Sequence, residues 1–436
     1  MTMTATLEQI AAQLQGYDPH ALPADMVGAF LDRLVQPITD AETVPLAAAR
    51  ERVLAADVIS PMDVPPHDNA AMDGYALRGA ELATTASTRL RVVGVCYAGQ
   101  AGWDAPIPAQ ACVRIMTGAV MPADLDTVVP VEMVRAGRDE HGDWIEVPAG
   151  AVRPGEHRRL RGEDLAQGQP ALRRGQRLGP AALGLVASLG LPQVNVVRRA
   201  RVAYFSTGDE VLSLGQPWRP GAIYDSNRYT ITAMLHRLGV EVIDLGVVPD
   251  DPAALEAAFR DAAAQADAVI TSGGVSMGEA DHTKAMMRRL GDVVFWRIAM
   301  RPGRPMAAGR LLPSNPQRPP TLLLGLPGNP VAAMVTFIVF VRPALLRLMG
   351  TQGAPCVPLR ARSAEPMRKR PGRTEYQRGV VTRGPDGTLS VRTTGQQGSG
   401  VLSSMVQANG LIVLHHEQGN VAVGDEVDVL MFDGVL

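Results

Sequence analysis

The chain has 436 residues, with 42 Lys and Arg against 44 Asp and Glu, a formal net charge of −2. At about 100–200 residues per domain, that length implies two to four domains, large enough to bury cores without disulfide staples. The charge balance excludes a generic nucleic-acid binder, and 46% hydrophobic with 20% charged residues excludes a disordered chain. Cys96, Cys112 and Cys356 lie far apart with no CxxC pair. That usage fits a reducing compartment and argues against a structural zinc site. Lys284 and Lys369 are the only lysines, so arginine supplies nearly all the positive charge and no single Arg stands out by type alone.

In chain order, residues 6–60 read as helical segments interrupted by proline, with a short amphipathic piece over 46–58. The N-terminus lacks a basic stretch followed by an apolar core, so no signal peptide is expected and the cytoplasm is the expected location. Residues 61–74 (PMDVPPHDNAAMDG) are a loop dense in Pro, Asp and Asn. Residues 75–165 alternate short apolar runs with Gly/Pro turns, the pattern of a β-rich domain. A polar turn and a small helix (GPAALGLVASLG) follow over 166–198.

Residues 200–350 alternate strand and helix: RVAYFS, TAMLHRLGVEV, LEAAFRDAAAQ, DAVIT, TKAMMRRLG, DVVFWRI and TLLLGL. Asp251-Pro252 reads as an N-cap with proline at the first helical position. This alternation predicts a doubly wound parallel sheet. The apolar run 330–341 (PVAAMVTFIVFV) is 12 residues before Arg342. It falls short of the roughly 20 residues of a membrane span and is expected to be a buried helix, not a membrane anchor. Residues 354–436 return to strand, as a small β-barrel or sandwich. The expected units are 1–54 with 166–198 as an elongated N-terminal and linker domain, 55–165 as a β-rich domain, 199–350 as a doubly wound α/β domain, and 351–436 as a C-terminal β-barrel.

In a doubly wound sheet, ligands bind beyond the carboxyl ends of the strands. Three loops fall there: TGDE at 207–210, SGGVSMGEAD at 272–281 and LPGNP at 326–330. Glycines after a strand let the backbone approach an anion, and the next helix offers free N–H groups. Carboxylates among such loops suit a hard cation shared with phosphate, most naturally Mg²⁺. In WRIAMRPGR, strand geometry places Arg297 and Arg301 on one side, and Arg304 follows a Pro-Gly turn; the set is an oxyanion clamp or a solvated edge. The run 274–278 matches GxSxG, the nucleophile elbow of serine hydrolases, but its serine stands too far past its strand and His282 is too near in sequence. An anion-binding loop fits better. No P-loop, dinucleotide GxGxxG or HExxH is present. Two further clusters, HDNAAMDGY at 67–75 and RGED at 161–164, read as turn chemistry when taken alone.

HDNAAMDGYAL, RIMTGAVMP, RRLRGED, FSTGDE, YDSNRY, DAVITSGGVSMGEAD, RPGRPMAAGR, LPGNPVAAMVTF, GRTEYQRG and TTGQQGSG occur in this order. Together they resemble the molybdopterin molybdenumtransferase family, including the E-domain of gephyrin. The resemblance spans nearly the whole chain. It implies insertion of molybdate into adenylyl-molybdopterin with release of AMP, dependent on Mg²⁺, by an elongated homodimer. Partners implied are the molybdopterin adenylyltransferase and the enzymes that accept the cofactor. By position, the resemblance assigns Glu210, Asp250 and Asp281 to Mg²⁺ or the pyrophosphate, and Asp68, Thr117 and Asp164 to the site from across the dimer. It places Ser272, Gly273, Gly274 and Ser276 in the pterin-phosphate loop, with Pro327 and Pro330 beside it. For molybdate it points to Arg297, Arg301, Arg378 and Ser399; many relatives carry Lys in place of Arg297 and Arg301. A cofactor-binding scaffold without turnover and the adenylyltransferase itself are the alternatives.

Overall fold

The computed structural model describes residues 5–275, 282–313, 315, 318–352 and 357–435. Three six-stranded sheets organise these residues. The α/β sheet runs in the order Glu241–Val248, Arg201–Thr207, Ala268–Ser272, Thr321–Leu326, Pro305–Leu311, Gly291–Arg297. Its first four strands are parallel, as the strand–helix alternation predicts, but the last two are antiparallel. The short connections 298–304 and 312–320 leave no room for a helical crossover, so those strands must return as hairpins. The sheet is therefore mixed, not wholly parallel.

Local chemistry sets the helix ends. Asp251 caps the helix Pro252–Gln265, accepting from the backbone N–H of Ala253 and Ala254 at 3.0 and 2.9 Å. The helix Ser226–Leu238 is capped by Asp225 and stopped by Gly239 in a left-handed conformation (φ 89°). The expected helix at 330–341 runs further, from Pro330 to Leu348, with a π-type turn at Phe337–Val341. Arg342 does not end it because Pro343 enters near the start of a new helical segment, where a missing N–H is tolerated. The helix is long and apolar enough to cross a membrane by composition, yet Val331, Val335, Phe337, Val341 and Leu345 are all buried in the core.

Residues 6–60 hold only two α-helices, Leu7–Ala12 and Ala24–Leu34; the amphipathic piece expected over 46–58 holds only the 3₁₀ turn Leu46–Ala48 and the start of the short strand Val58–Ile59, and the strand Ala41–Pro45 precedes it. Both helices share the core of the α/β sheet, not that of the linker. Phe30 packs edge-on against Trp296, with ring centroids 5.0 Å apart, and Trp296 donates to the Tyr17 hydroxyl at 2.8 Å. Residues 41–58 do join the later segment: Ala41–Pro45 pairs with Gln193–Val197, and Val44, Leu54 and Val58 share a core with Leu172, Leu178 and Val196.

The β-rich sheet runs Thr127–Pro130, Gly74–Leu77, Ala111–Ile115, Thr88–Cys96, Gly142–Val147, Arg135–Asp139. In the C-terminal sheet, Thr374–Arg383 pairs with both Leu389–Thr393 and Gly410–Leu414, which closes a five-stranded barrel. Met300–Arg301 adds to this barrel from the α/β domain, pairing in parallel with Thr374 and Glu375.

Candidate active site

The carboxyl ends of the strands Arg201–Thr207, Ala268–Ser272 and Thr321–Leu326 open into a cleft of about 1310 Å³. Side-chain-free backbone builds its floor. Gly273 and Gly274 hold φ of 91° and 64°. A Cβ on Gly273 would sit 2.3 Å from the Thr207 carbonyl oxygen, and one on Gly274 would sit 2.4 Å from Thr283 Cβ. Only glycine accepts both the left-handed backbone and the close approach. Asn227 ties the loops together: its Nδ2 donates to Ser272 Oγ at 2.6 Å and to the Gly328 carbonyl at 2.7 Å. The Asp250 backbone N–H reaches Asp209 Oδ1 at 3.4 Å, linking the first acidic loop to the second.

Glu210 and Asp250 line this cleft, as do Ser272, Gly273, Gly274, Arg301, Pro327, Pro330 and Ser399. Five lining residues carry a buried polar atom with no partner among the described residues: Thr207 Oγ1, Asp225 Oδ2, Asn227 Oδ1, Asp250 Oδ1 and Thr283 Oγ1. A buried polar atom without a partner costs about 1–3 kcal/mol, so this concentration marks a surface shaped for a ligand rather than for the fold.

A second, smaller pocket of about 250 Å³ lies where Met300–Arg301 meets the barrel. Arg301, Pro302 and Gln397 line both cavities and form the wall between them. Arg378 lies in the small pocket and is 1% exposed. Its Nε donates to Ser404 Oγ at 3.0 Å and its Nη2 to the Gly398 carbonyl at 3.0 Å. It has no carboxylate partner among the described residues. Burial, with the Arg301 charge beside it, pushes the guanidinium down to about 10, so it remains a cation at neutral pH. An unpaired buried cation beside a second arginine is an anion site in waiting. Glu375 does not neutralise it, being held by Arg373 at 2.7 Å and Gln377 at 3.1 Å.

The structure separates Arg297 from Arg301. Arg297 ends a strand of the α/β sheet, the chain bends at Ala299, and Arg301 enters the barrel sheet. The two do not share one strand face, and Arg297 is exposed and lines neither cavity. Arg304 does line the large cleft. Ser276, with the rest of the GxSxG run beyond Val275, and Asp281 lie outside the described residues.

Asp68 and Thr117 are held on the β-rich domain around the short strand Asn69–Ala70, and Asp164 is tied to Val64 in the segment that leads into Asp68. Arg158 approaches Asp68 Oδ2 at 3.5 Å and the Arg161 backbone N–H donates to Asp68 Oδ1 at 2.8 Å. The Met121 N–H donates to the Asp68 carbonyl at 2.9 Å, which draws in the turn carrying Thr117, and the Asp164 N–H donates to the Val64 carbonyl at 3.1 Å. Thr117 donates through its hydroxyl and its N–H to Asp73 Oδ1, at 2.6 and 2.7 Å, which holds the Asp73 carboxyl below its ordinary range. None of the three expected residues lines the cleft of its own chain. Among the described residues, no three His, Cys, Asp or Glu side chains converge as a metal cluster. The third acid of the expected metal set, Asp281, is not among them.

Asp225, Asn227, Arg373 and Gln397 also line the cleft and were not picked out as site residues from the sequence. For Asp225 and Asn227 the available signal was a capping Asp followed by a second amide side chain at a helix start, which reads as ordinary capping.

The whole chain has relatives of known family. Residues 22–190 match the MoeA N-terminal region (domain I and II), 203–347 a probable molybdopterin binding domain, and 360–432 the MoeA C-terminal region (domain IV). A Haemophilus influenzae protein named molybdopterin molybdenumtransferase is 42% identical over 402 residues, covering 91% of this chain and 95% of that one. A Nostoc protein of the same name is 38% identical over 397 residues, covering 90% and 88%. Among solved structures, the molybdopterin biosynthesis moeA protein of Pyrococcus horikoshii superposes with a TM-score of 0.78 at 26% identity, covering 94% of this chain and 100% of that one. The order of domains, the cleft and these relatives agree: the chain belongs to the molybdopterin molybdenumtransferase family.

Proposed function

We propose that this protein inserts molybdate into adenylyl-molybdopterin and releases AMP, a step of molybdenum cofactor biosynthesis. The observation that carries this reading is the pairing of two anion-ready cavities across one wall. The large cleft offers glycine backbone, Glu210, Asp250, Arg301 and Arg304; the small pocket offers the unpaired Arg378. A substrate with a pyrophosphate suits the first, and a tetrahedral oxyanion suits the second. Names of relatives across nearly the full chain support the same step.

In this account the turn at Gly273–Gly274 holds the phosphate end of the substrate. Arg301, shared by both cavities, brings the molybdate oxygen to the adenylyl phosphorus while Arg378 binds the oxyanion from the small pocket. A molybdate oxygen bonds to the adenylyl phosphorus as the P–O bond to the molybdopterin phosphate breaks, and that phosphate leaves with the electron pair. The dithiolene sulfurs then bond to molybdenum as its bond to the adenylyl oxygen breaks and frees AMP, and the two thiol protons depart with one molybdate oxygen as water. Glu210 and the unpartnered Asp250 Oδ1 form a hard-oxygen donor set that fits Mg²⁺, with Asp281 as the third acid. Bound there, Mg²⁺ would offset the pyrophosphate charge.

The same reading makes the active form a homodimer, with Asp68, Thr117 and Asp164 supplied by the second copy. Exposed apolar side chains support it: Ile223 and Tyr224 line the cleft yet are 59% and 43% exposed. The adenylyltransferase that makes the substrate and the enzymes that accept the cofactor are the expected partners, and the cytoplasm the expected location. Incubation with adenylyl-molybdopterin, Mg²⁺ and molybdate tests the reading: AMP release must depend on molybdate. Tight substrate binding with no AMP at any molybdate concentration would instead make the protein a carrier.

A further inference from the structure

Gln397 lines both the large cleft and the small pocket, and its bonds explain what it does in the wall between them. Its amide pairs with the peptide of Arg378. Oε1 accepts from the Arg378 N–H at 2.8 Å, and Nε2 donates to the Arg378 carbonyl at 3.1 Å, which fixes which end of the amide is oxygen. The pairing falls where the barrel ladder runs out. Thr374–Arg383 pairs with Leu389–Thr393 only as far as Gly379 opposite Thr393. Beyond that the Thr394 N–H still reaches the Arg378 carbonyl at 3.0 Å. The Gln397 carboxamide, which carries both a donor and an acceptor, then stands in for the peptide that the ladder lacks.

Arg378 returns the grip. Its Nη2 donates to the Gly398 carbonyl at 3.0 Å, next in the chain to Gln397. Gln397 thus holds the backbone from which the Arg378 side chain springs, and the tip of that side chain holds the backbone beside Gln397. The same segment is tied to the α/β domain, because the Val331 N–H, just past the LPGNP loop, donates to the Ser399 carbonyl at 3.1 Å. A shift at Gln397 therefore moves both ends of the Arg378 side chain relative to the cleft while its charge stays in the small pocket.

On the reading given under Proposed function, we propose that Gln397 is a positioning residue: through Arg378 it sets where the oxyanion in the small pocket stands relative to the adenylyl phosphorus in the large cleft. Its effect runs through Arg378 and not through contact with either substrate. Loss of this clasp displaces the oxyanion without releasing it, and a misplacement of about 1 Å costs on the order of a hundredfold in rate.

The test uses the full-length protein with Gln397→Met and Gln397→Ala. Both remove the amide bonds to the Arg378 peptide; methionine keeps the bulk of the wall and alanine does not. Thermal unfolding sets an assay temperature at which every variant is folded. Both variants should lower kcat for molybdate-dependent AMP release by about ten- to hundredfold, with the KM for molybdate within about threefold of wild type. Arg378→Met combined with Gln397→Met should have the same kcat/KM as Arg378→Met alone, because a residue that acts through another adds nothing once the other is gone. Four results overturn the proposal. An unchanged kcat in Gln397→Met removes the positioning role. A molybdate KM that rises in step with the loss of kcat makes Gln397 part of the oxyanion's binding. A defect confined to Gln397→Ala makes it filler in the wall. Losses that multiply in the double variant make it act on the substrates directly. Wild-type protein that releases no AMP with molybdate present sinks the functional reading itself, which separates the two failures.

Discussion

Arg378→Met separates what holds the fold from what binds the oxyanion. Arg378 is buried beside Arg301 with no carboxylate to pair it among the described residues, and its guanidinium is pushed down to about 10. At 1.36 kcal/mol per tenfold, holding that charge costs the folded state about 3 kcal/mol. Its hydrogen bonds to Ser404 Oγ and the Gly398 carbonyl return a similar amount, about 1.5–3 kcal/mol each for a charged donor. Methionine fills much of the same volume without the charge, and Ser404 keeps its bond to the Val401 carbonyl at 2.6 Å. The two terms nearly cancel, so stability should shift by no more than about 2 kcal/mol in either direction. Oxyanion binding has no such compensation, because the anion loses a charge-assisted donor. The KM for molybdate should rise by about ten- to hundredfold, with adenylyl-molybdopterin affinity unaffected. Arg378→Lys, which keeps the charge and loses the fork, should fall between. Thermal unfolding and molybdate-dependent AMP release read the two effects. A folded Arg378→Met protein with wild-type molybdate KM would refute the assignment of the small pocket.

Other perturbations follow from the same geometry. Gly273→Ala forces a Cβ to 2.3 Å from the Thr207 carbonyl at a positive φ, so it should cost about 2 kcal/mol or more and abolish substrate binding, read by thermal unfolding and calorimetry. Asp250→Asn removes charge from a carboxylate whose buried Oδ1 has no partner among the described residues; the melting temperature should hold while the Mg²⁺ concentration for half-maximal AMP release rises at least about tenfold. Thr117→Val removes the first of the donors that hold the Asp73 carboxyl down. A depressed carboxylate adds stability above its unfolded value of 3.8, and that stability is lost as pH falls through the folded value. Thr117→Val should therefore be less stable than wild type near neutral pH, and the gap should shrink below about pH 4, as unfolding midpoints across pH will show.

Much of the site is legible in the sequence because loop chemistry is local. Glycine pairs after a strand and Asp-Pro at a helix start dictate their own backbone, and both appear where the residues place them. Long-range pairing is not local. The strand Pro305–Leu311 hides in small residues: Ala307, Ala308 and Gly309 lack the β-branched signal, yet a Cβ on Gly309 would strike the Asp292 carbonyl at 2.2 Å, so the neighbouring strand demands the small residue. Missing that strand hides the two hairpins and makes the sheet look wholly parallel. It also hides the bend that sends Arg301 to the barrel and leaves Arg297 behind. Asp225 and Asn227 escape notice for a related reason. Capping accounts for one oxygen of Asp225 in the sequence, and only the packed structure reveals that the other has no partner.

The central claim is the transfer of molybdenum to dithiolene sulfur, driven by loss of AMP. Molybdenum K-edge absorption on the protein after one turnover with adenylyl-molybdopterin and molybdate tests it most directly. The account predicts Mo–S scattering that grows in step with AMP released. Molybdenum that keeps an oxygen-only shell while AMP accumulates would contradict it.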